Sequence, residues 1–304
     1  MAKNILITGA SGLIGTRLTE VLLQRGHQVS HVGRSRISNY GIPFFTWDIE
    51  LGIIDPKALA SADVIIHLAG ANVADKRWTK KIKNEVLQSR IKTTDLLIKA
   101  LTNRENYPLK TFVSASAIGY YGFGNDSTVF TEESAPGTDF LAQVVQEWEA
   151  EVDKISRPGL RIVKLRTGVV LSEKGGALKS ITRPVKLGVG AALGTGQQYV
   201  SWIHIEDLCA IFSKAVEDET LIGVYNAVSN APATNLEMTQ TIAKVLRRPL
   251  WLPSIPGFVL KILIGEMASM VLEGSKVSAV RIMNTGFQFQ FPTLEGALRN
   301  LYKV

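Results

Sequence analysis

The stretch Asn4-Ile5-Leu6-Ile7-Thr8-Gly9-Ala10-Ser11-Gly12-Leu13-Ile14-Gly15 constrains this chain more than any other. An apolar run short enough for a buried strand breaks into glycines spaced G-x-x-G-x-x-G, and a helical pattern follows through Leu18, Val21 and Leu22 to a stop at Gly26. Strand, glycine turn and helix make an anion site. One glycine permits the turn, one leaves bare backbone beside the anion, and one lets the helix pack close to the strand. The first N–H groups of the helix then face the anion with the positive end of the dipole behind them. The glycine triplet alone would not carry this reading, since glycine turns also serve purely structural ends. A second apolar strand over 28–32 follows at the distance of a βαβ unit, so Gly9, Ser11, Gly12, Leu13, Ile14 and Gly15 are expected to cradle a dinucleotide.

The end of that second strand bears on which dinucleotide. Selection of NAD usually places Asp or Glu here to hold the ribose 2′-hydroxyl, whereas arginine accommodates a 2′-phosphate. The chain reads Val32-Gly33-Arg34-Ser35-Arg36, with no carboxylate and two guanidinium groups plus a hydroxyl. NADP(H) is expected, gripped by Arg34, Ser35 and Arg36. The alternative is that the two arginines are ordinary solvated loop charges.

A short strand over 43–48 ends in Asp48, placed near an adenine or else a plain loop acid. The run Asp63-Val64-Ile65-Ile66-His67-Leu68-Ala69-Gly70 is almost unbroken in its apolar character, as in a parallel strand buried on both faces, and the small residues at its end let a ligand lie on backbone. Leu68, Ala69 and Gly70 join the cofactor set on that ground. A long helix is expected over 80–101, a strand over 110–116 leading into Tyr120 and Tyr121, and a helix from Leu141 to Ile155. Strands over 161–171, 199–203 and 223–227 follow, with a helix over 207–216. Beyond Asn230 come a helix capped by Asn235, an apolar helix over 258–272, an alternating strand over 287–291 and a closing helix over 293–301.

With 304 residues and 46% apolar content the chain can bury a large core, and 20% charge argues against disorder. The lone Cys209 excludes an internal disulfide framework and suits a reducing compartment. With the first strand starting almost at Met1, no signal peptide is expected and the cytoplasm is the default location. The apolar stretch over 258–272 contains Lys261 and Glu266 and is shorter than a membrane span, so no membrane partner is expected. A net charge of +7 raises the question of nucleic acid, and the densest basic run, Lys76-Arg77-Trp78-Thr79-Lys80-Lys81-Ile82-Lys83, even holds an aromatic residue. Positive charge is otherwise scattered among acids, so a solvated face is expected there and no nucleic-acid partner. No His, Cys and carboxylate set has metal-ligand spacing, so no metal is expected.

Taken together, Gly9-Ala10-Ser11-Gly12-Leu13-Ile14-Gly15, His67-Leu68-Ala69-Gly70, Ser114-Ala115-Ser116 with Tyr121-Gly122, Arg166-Thr167-Gly168 and Trp202-Ile203-His204-Ile205-Glu206-Asp207 resemble the extended and atypical short-chain dehydrogenase/reductases, a superfamily that includes nucleotide-sugar epimerases. Leu68-Ala69-Gly70-Ala71-Asn72, Arg77-Trp78, Ser89-Arg90, Trp148-Glu149 and Gly286-Phe287 are similar to its "epimerase family protein" subgroup. The resemblance spans essentially the whole chain. It implies a Tyr-x-x-x-Lys pair on the helix after the serine strand, the phenol moving a proton and the lysine lowering its pKa and holding the nicotinamide ribose. This chain departs from that pattern: the helix reads Phe140-Leu141-Ala142-Gln143-Val144, and neither Phe140 nor Val144 can do that work.

Ser116 matches the superfamily's substrate-oxygen serine or equally completes the strand turn, and Tyr121 and Tyr120 are the nearby phenols, Tyr121 being by its match to the superfamily's Tyr-Gly a packing or substrate-lining residue as well, so these three are the catalytic candidates. Arg90, Arg166 and Trp202 are expected along a substrate cleft, the arginines being equally compatible with structural ion pairs. His204 is either functional or an anchor for the chain crossing there. The expected fold is α/β, a Rossmann-type doubly wound parallel sheet over 1–304 with a small, mostly helical substrate lobe from about 171–192 and 231–304. The expected function is NADP(H)-dependent oxidoreduction or epimerase-like chemistry on a small, anionic or nucleotide-linked substrate. Rival expectations are a non-catalytic NADP(H) sensor and a homo-oligomer built through the apolar 258–272 stretch.

Overall fold

The structure is a computed structural model and describes residues 1–35, 41–102, 107–124, 128–155 and 157–304. Strand β1 (Asn4–Thr8) enters the glycine turn and leaves as helix α1 (Leu13–Gln24). Gly26 then reverses the chain with φ +82°, a conformation open to glycine, and β2 (Gln28–Gly33) pairs parallel to β1. Next come β3 (Phe44–Asp48), β4 (Ile53–Ile54), α2 (Lys57–Ala60), β5 (Val64–His67), the long α3 (Lys80–Thr102) and β6 (Thr111–Ala117). A 3-10 turn (Ile118–Tyr121), β7 (Val129–Phe130) and α4 (Phe140–Asp153) lead to β8 (Arg161–Thr167) and β9 (Val169–Leu171). The remainder is α5 (Ala177–Lys186), β10 (Tyr199–Val200), β11 (Trp202–His204), α6 (Ile205–Glu217), β12 (Gly223–Ala227), β13 (Ala233–Thr234), α7 (Asn235–Val245), α8 (Gly257–Ile264), α9 (Ser269–Leu272), β14 (Lys276–Val277), α10 (Val280–Met283) and α11 (Leu294–Tyr302).

Among the described residues the central sheet has eight strands in the order β12-β8-β6-β5-β1-β2-β3-β4, all parallel except the β3–β4 pair. Strand order reverses between β1 and β5, as a doubly wound sheet requires. Alternation along each strand divides the core. Ile5, Ile7, Ile66, Val113, Val163 and Leu165 face α1 and α6 through Leu18, Leu22, Leu208 and Phe212, and Leu6, Ile65 and Phe112 face α3 and α4 through Leu96, Leu97, Trp148 and Val152.

Several expectations over element extent are corrected. The run 161–171 is two strands in two sheets. Gly168 N donates to Ala227 O at 3.1 Å on the central sheet, while Val169 N donates to Ser201 O at 2.8 Å on the other. A side chain at Gly168 would meet Ser201 O at 2.4 Å, which accounts for glycine there. The apolar 258–272 segment is not one helix: Gly265 at φ +63° breaks it between α8 and α9. The cap of α7 is Thr234, not Asn235. Its hydroxyl accepts from Glu237 N while the Glu237 carboxylate accepts from Thr234 N, a capping box. The alternating 287–291 segment forms no strand; the Asp207 carboxylate takes its amides at Gln290 (2.7 Å) and Phe291 (3.1 Å) in place of a ladder.

Candidate functional site

The glycine turn shows a division of labour. Gly9 has φ +66°, and a Cβ there would sit 2.8 Å from the Leu68 carbonyl; at Gly15 it would sit 2.6 Å from Gly9 O and Ala10 Cα. These two glycines permit close packing. At Gly12 the nearest atom would be Gly9 O at 3.3 Å, so its other side is open, and Ser11 and Gly12 are exposed with Leu13 and Ile14 half-buried. Gly12 is the N-cap of α1, no side chain caps that end, and no acid lies in its first turn, so the leading N–H groups of the helix point outward unopposed.

At the end of β2, Arg34 and Ser35 are exposed; Arg36 lies outside the described residues. Asp48 is occupied locally, its Oδ1 accepting from Glu50 N and Leu51 N at 2.9 Å each, the bonding of a turn acid.

The end of β5 is held by a buried chain of hydrogen bonds. Thr8 Oγ1 accepts from Leu68 N (3.1 Å) and Ala69 N (3.2 Å), so its own proton goes to His67 Nδ1 at 2.8 Å. His67 Nε2–H then donates to Thr94 Oγ1 (3.1 Å), whose hydroxyl donates to Arg90 O (2.8 Å). Burial, with help from the Arg90 charge, lowers the His67 pKa to about 3, so the ring is neutral.

Past β6 the three catalytic candidates separate. Ser116 is 3% exposed and its hydroxyl donates to Glu149 Oε1 at 2.5 Å. Tyr121 is 2% exposed; its hydroxyl donates to Asn226 Oδ1 at 2.7 Å and accepts from Arg166 Nη1 at 3.0 Å, and burial raises its pKa. Both hydroxyls are spent inside the protein, which corrects the expectation that they face a cleft. Tyr120 differs: it is half-buried, its hydroxyl has no hydrogen bond among the described residues, and the Arg166 guanidinium lies 3.4 Å from its ring centroid.

Arg166 is likewise an interior group, forking onto Glu149 with two 2.8 Å bonds. Burial alone would lower its pKa, yet the Glu149 hydrogen bonds and charge carry it above the ordinary arginine value. Trp202 has no exposed surface, and its indole N–H donates to Ala231 O at 2.8 Å. Both depart from the expected cleft lining. Arg90 sits beside the end of β5, its Nη1 donating to Ala71 O (3.1 Å) and Val86 O (2.9 Å) and its guanidinium 5.1 Å from the Trp148 ring centroid.

Phe140 is covered by Trp78, edge-on at 5.0 Å, and by the Lys83 ammonium at 5.0 Å; Val144 is buried. Trp78 donates to Val73 O and Lys83 pairs with Glu266, while Lys76, Arg77, Lys80 and Lys81 of the basic run are exposed. His204 caps α6, its Nδ1 accepting from Glu206 N, and its ring packs 3.9 Å from that of Phe291, which makes it an anchor. Burial pushes the Cys209 thiol up to about 12, an inert state. Among the described residues no His, Cys, Asp and Glu group could hold a metal, and no helix is long and apolar enough to cross a membrane.

Asn226 and Glu132 escape the sequence reading, Thr8 enters it only as part of the opening stretch, and Glu149 only within the subgroup match Trp148-Glu149, with no role assigned. Glu149 had a signal: it stands beside Trp148 within an otherwise apolar helix face, opposite a strand carrying Lys164 and Arg166 on one side. Asn226 and Glu132 had none, because their contacts join segments far apart in the chain, Asn226 N donating to Glu132 Oε1 at 2.7 Å.

A dinucleotide-type sheet whose switch point carries a bare glycine turn defines the class, and sequence comparison gives the family. The model of the NAD dependent epimerase/dehydratase family matches residues 5–227, and the chain belongs to that family. A second model, a domain of unknown function (DUF1731), matches residues 255–301. Epimerase family protein SDR39U1 of Homo sapiens is 38% identical over 302 residues, covering 98% of this chain and 99% of that one. Its homolog from Arabidopsis thaliana, named as chloroplastic, is 36% identical over 301 residues, covering 97% and 85%. A crystal structure of the human protein with NADPH superposes with a TM-score of 0.90 at 37% identity, covering 99% of each chain. The chloroplastic relative means that the cytoplasmic expectation does not follow from family membership.

Proposed function

We propose that this chain binds NADP(H) and serves as an oxidoreductase or epimerase-like enzyme on a small substrate, without the Tyr-x-x-x-Lys pair. The observation that carries this reading is the uncovered backbone around Gly12 at an acid-free helix start, followed at the end of β2 by exposed arginine where an NAD-selective site places a carboxylate. The NADPH held by the human relative supports it. Gly9, Ser11, Gly12, Leu13, Ile14 and Gly15 would hold the pyrophosphate, Arg34, Ser35 and Arg36 the 2′-phosphate, and Leu68, Ala69 and Gly70 the backbone bed beyond. The nicotinamide supplies hydride transfer when bound. The protein's part is to orient it, and Tyr120 is the phenol free to meet a substrate, with the Arg166 cation fixed against its ring by Glu149.

Calorimetric titration of wild type and Arg34→Ala with NADPH and NADH tests the cofactor assignment. The substitution is expected to weaken NADPH by about tenfold or more and spare NADH, since a lost charge-assisted contact to phosphate has that scale. Equal weakening of both, or no binding of either, would sink the reading.

A second reading, a non-catalytic protein that senses NADP(H) or regulates a partner, is favoured by the internal commitment of the Ser116 and Tyr121 hydroxyls and the covered Phe140. Marked preference for one redox form, with no substrate that consumes it, would select that reading.

A further inference from the structure

Among the described residues Arg90 is a charge without a counter-charge. Arg17, Arg25, Arg166, Arg281 and Arg299 each pair with a glutamate. Among the described residues Arg90 has no carboxylate partner: its hydrogen bonds go to the carbonyls of Ala71 and Val86, both from Nη1, and its cation lies 5.1 Å from the Trp148 ring centroid. Its Nε and Nη2 hydrogens have no protein acceptor among the described residues. Desolvation brings its pKa down to about 10 with no carboxylate opposing that fall, and the group is still charged at neutral pH.

The setting gives this charge a direction. A Cβ on Gly70 would lie 3.2 Å from the guanidinium carbon, so Arg90 lies directly against the backbone at the end of β5, the strand next to β1 across the switch point. A dinucleotide anchored at Gly12 with its adenosine half toward Arg34, just past β2, must extend its nicotinamide half over β5 and β6. Neutral His67 adds no charge there, and Lys83, at the neighbouring Phe140, is paired with Glu266.

We propose that Arg90 sets the redox preference of the site, its unpaired guanidinium facing the nicotinamide half and favouring the neutral reduced ring over the cationic oxidised one. The inference rests on the NADP(H) reading. The phosphate charges are common to both redox forms and cancel from the comparison, as do hydrogen bonds from Nε and Nη2 to ribose or carboxamide oxygens. Only the ring charge differs, and a like charge nearby in a partly desolvated setting disfavours it. Arg90 is thereby assigned to the cofactor in place of the substrate contact that the sequence suggested.

The test is calorimetric titration of wild type, Arg90→Gln and Arg90→Lys with NADPH, NADP+ and 2′,5′-ADP, the last carrying the adenosine-side phosphates without the nicotinamide. Wild type is expected to favour NADPH over NADP+ by about ten- to hundredfold, the scale of one charge–charge interaction in such a setting. Arg90→Gln should bring the ratio to within about threefold with 2′,5′-ADP affinity unchanged, and Arg90→Lys should retain the preference, as charge is kept. A wild type with no preference, or an Arg90→Gln variant that keeps the full ratio, overturns the inference. If Arg90→Gln fails to fold, Arg90→Lys still decides, since loss of the preference there with charge kept would overturn the inference and its retention supports it. Failure of wild type to bind 2′,5′-ADP would instead remove the NADP(H) reading itself, and the inference with it.

Discussion

Replacing Glu149 by alanine should be among the most damaging single changes in this protein. Its carboxylate receives both prongs of Arg166 at 2.8 Å and the Ser116 hydroxyl at 2.5 Å, and the Lys164 ammonium stands 3.9 Å away. The side chains of Arg166 and Glu149 are only 3% and 7% exposed, so water cannot replace the lost partner. Lys164 still has Asp153 at 2.8 Å, but Arg166 would keep only the Tyr121 hydroxyl and a long contact to Glu132 O. Leaving one buried charge uncompensated costs about 3–5 kcal/mol. Against a total stability on the order of 5–15 kcal/mol, that is a large fraction. Urea unfolding followed by tryptophan fluorescence would show it as a fall in midpoint at unchanged slope. The paired change Glu149→Leu with Arg166→Met should recover most of the loss, because removing both charges also removes the desolvation penalty. A loss below about 1 kcal/mol for Glu149→Ala, or a double variant worse than either single one, would refute the reasoning.

The glycine turn separates folding from binding: Gly9→Ala should destabilise measurably, since its Cβ would overlap the Leu68 carbonyl at a left-handed φ, whereas Gly12→Ala should fold with little change in Tm yet lose NADPH affinity by about tenfold or more as the Cβ fills the phosphate approach. The opposite pattern in melting and titration would contradict that assignment. Acid should destabilise the fold through its buried neutral histidines. The folded-state pKa of His67 is lowered to about 3 by burial and that of His204 to about 4, both from the ordinary histidine value of 6.5, so the unfolded chain binds these protons first. Their contribution is complete above pH 6.5 and is lost as pH falls from there toward the folded values, at up to about 1.4 kcal/mol per pH unit for each histidine. His67→Gln should flatten the fall in urea midpoint between neutral pH and about 4.5; an unaltered slope would exclude His67 as its source.

The parallel sheet and its first crossing were legible because local pattern and global fold agree there: Ile5 to Ile7 and Val64 to Ile66 are apolar on both faces, and Gly9, Gly12 and Gly15 recur at the spacing the turn demands. The chemistry beyond β6 was legible only as a set of residue types. Nothing in Ser116, Tyr121 and Arg166 as letters says that Ser116 and Arg166 both bond Glu149 or that Arg166 also reaches the Tyr121 hydroxyl, since those partners are set by register between β6 and β8 and by the approach of α4. The segment over 287–291 misled for a related reason. Its alternation reports one buried edge, but whether a strand or a carboxylate answers its amides depends on what stands opposite, and that is Asp207.

The one-residue crossing at Gly168 bears on how the molecule can move. Consecutive amides, Gly168 and Val169, are fastened to Ala227 and Ser201 on two different sheets, and there is no slack between them. Arg166 lies two residues upstream, so any shift of the Val169–Leu171 ribbon pulls directly on the strand that carries the guanidinium beneath Tyr120. That joint transmits force from β9 to β8 like a welded seam.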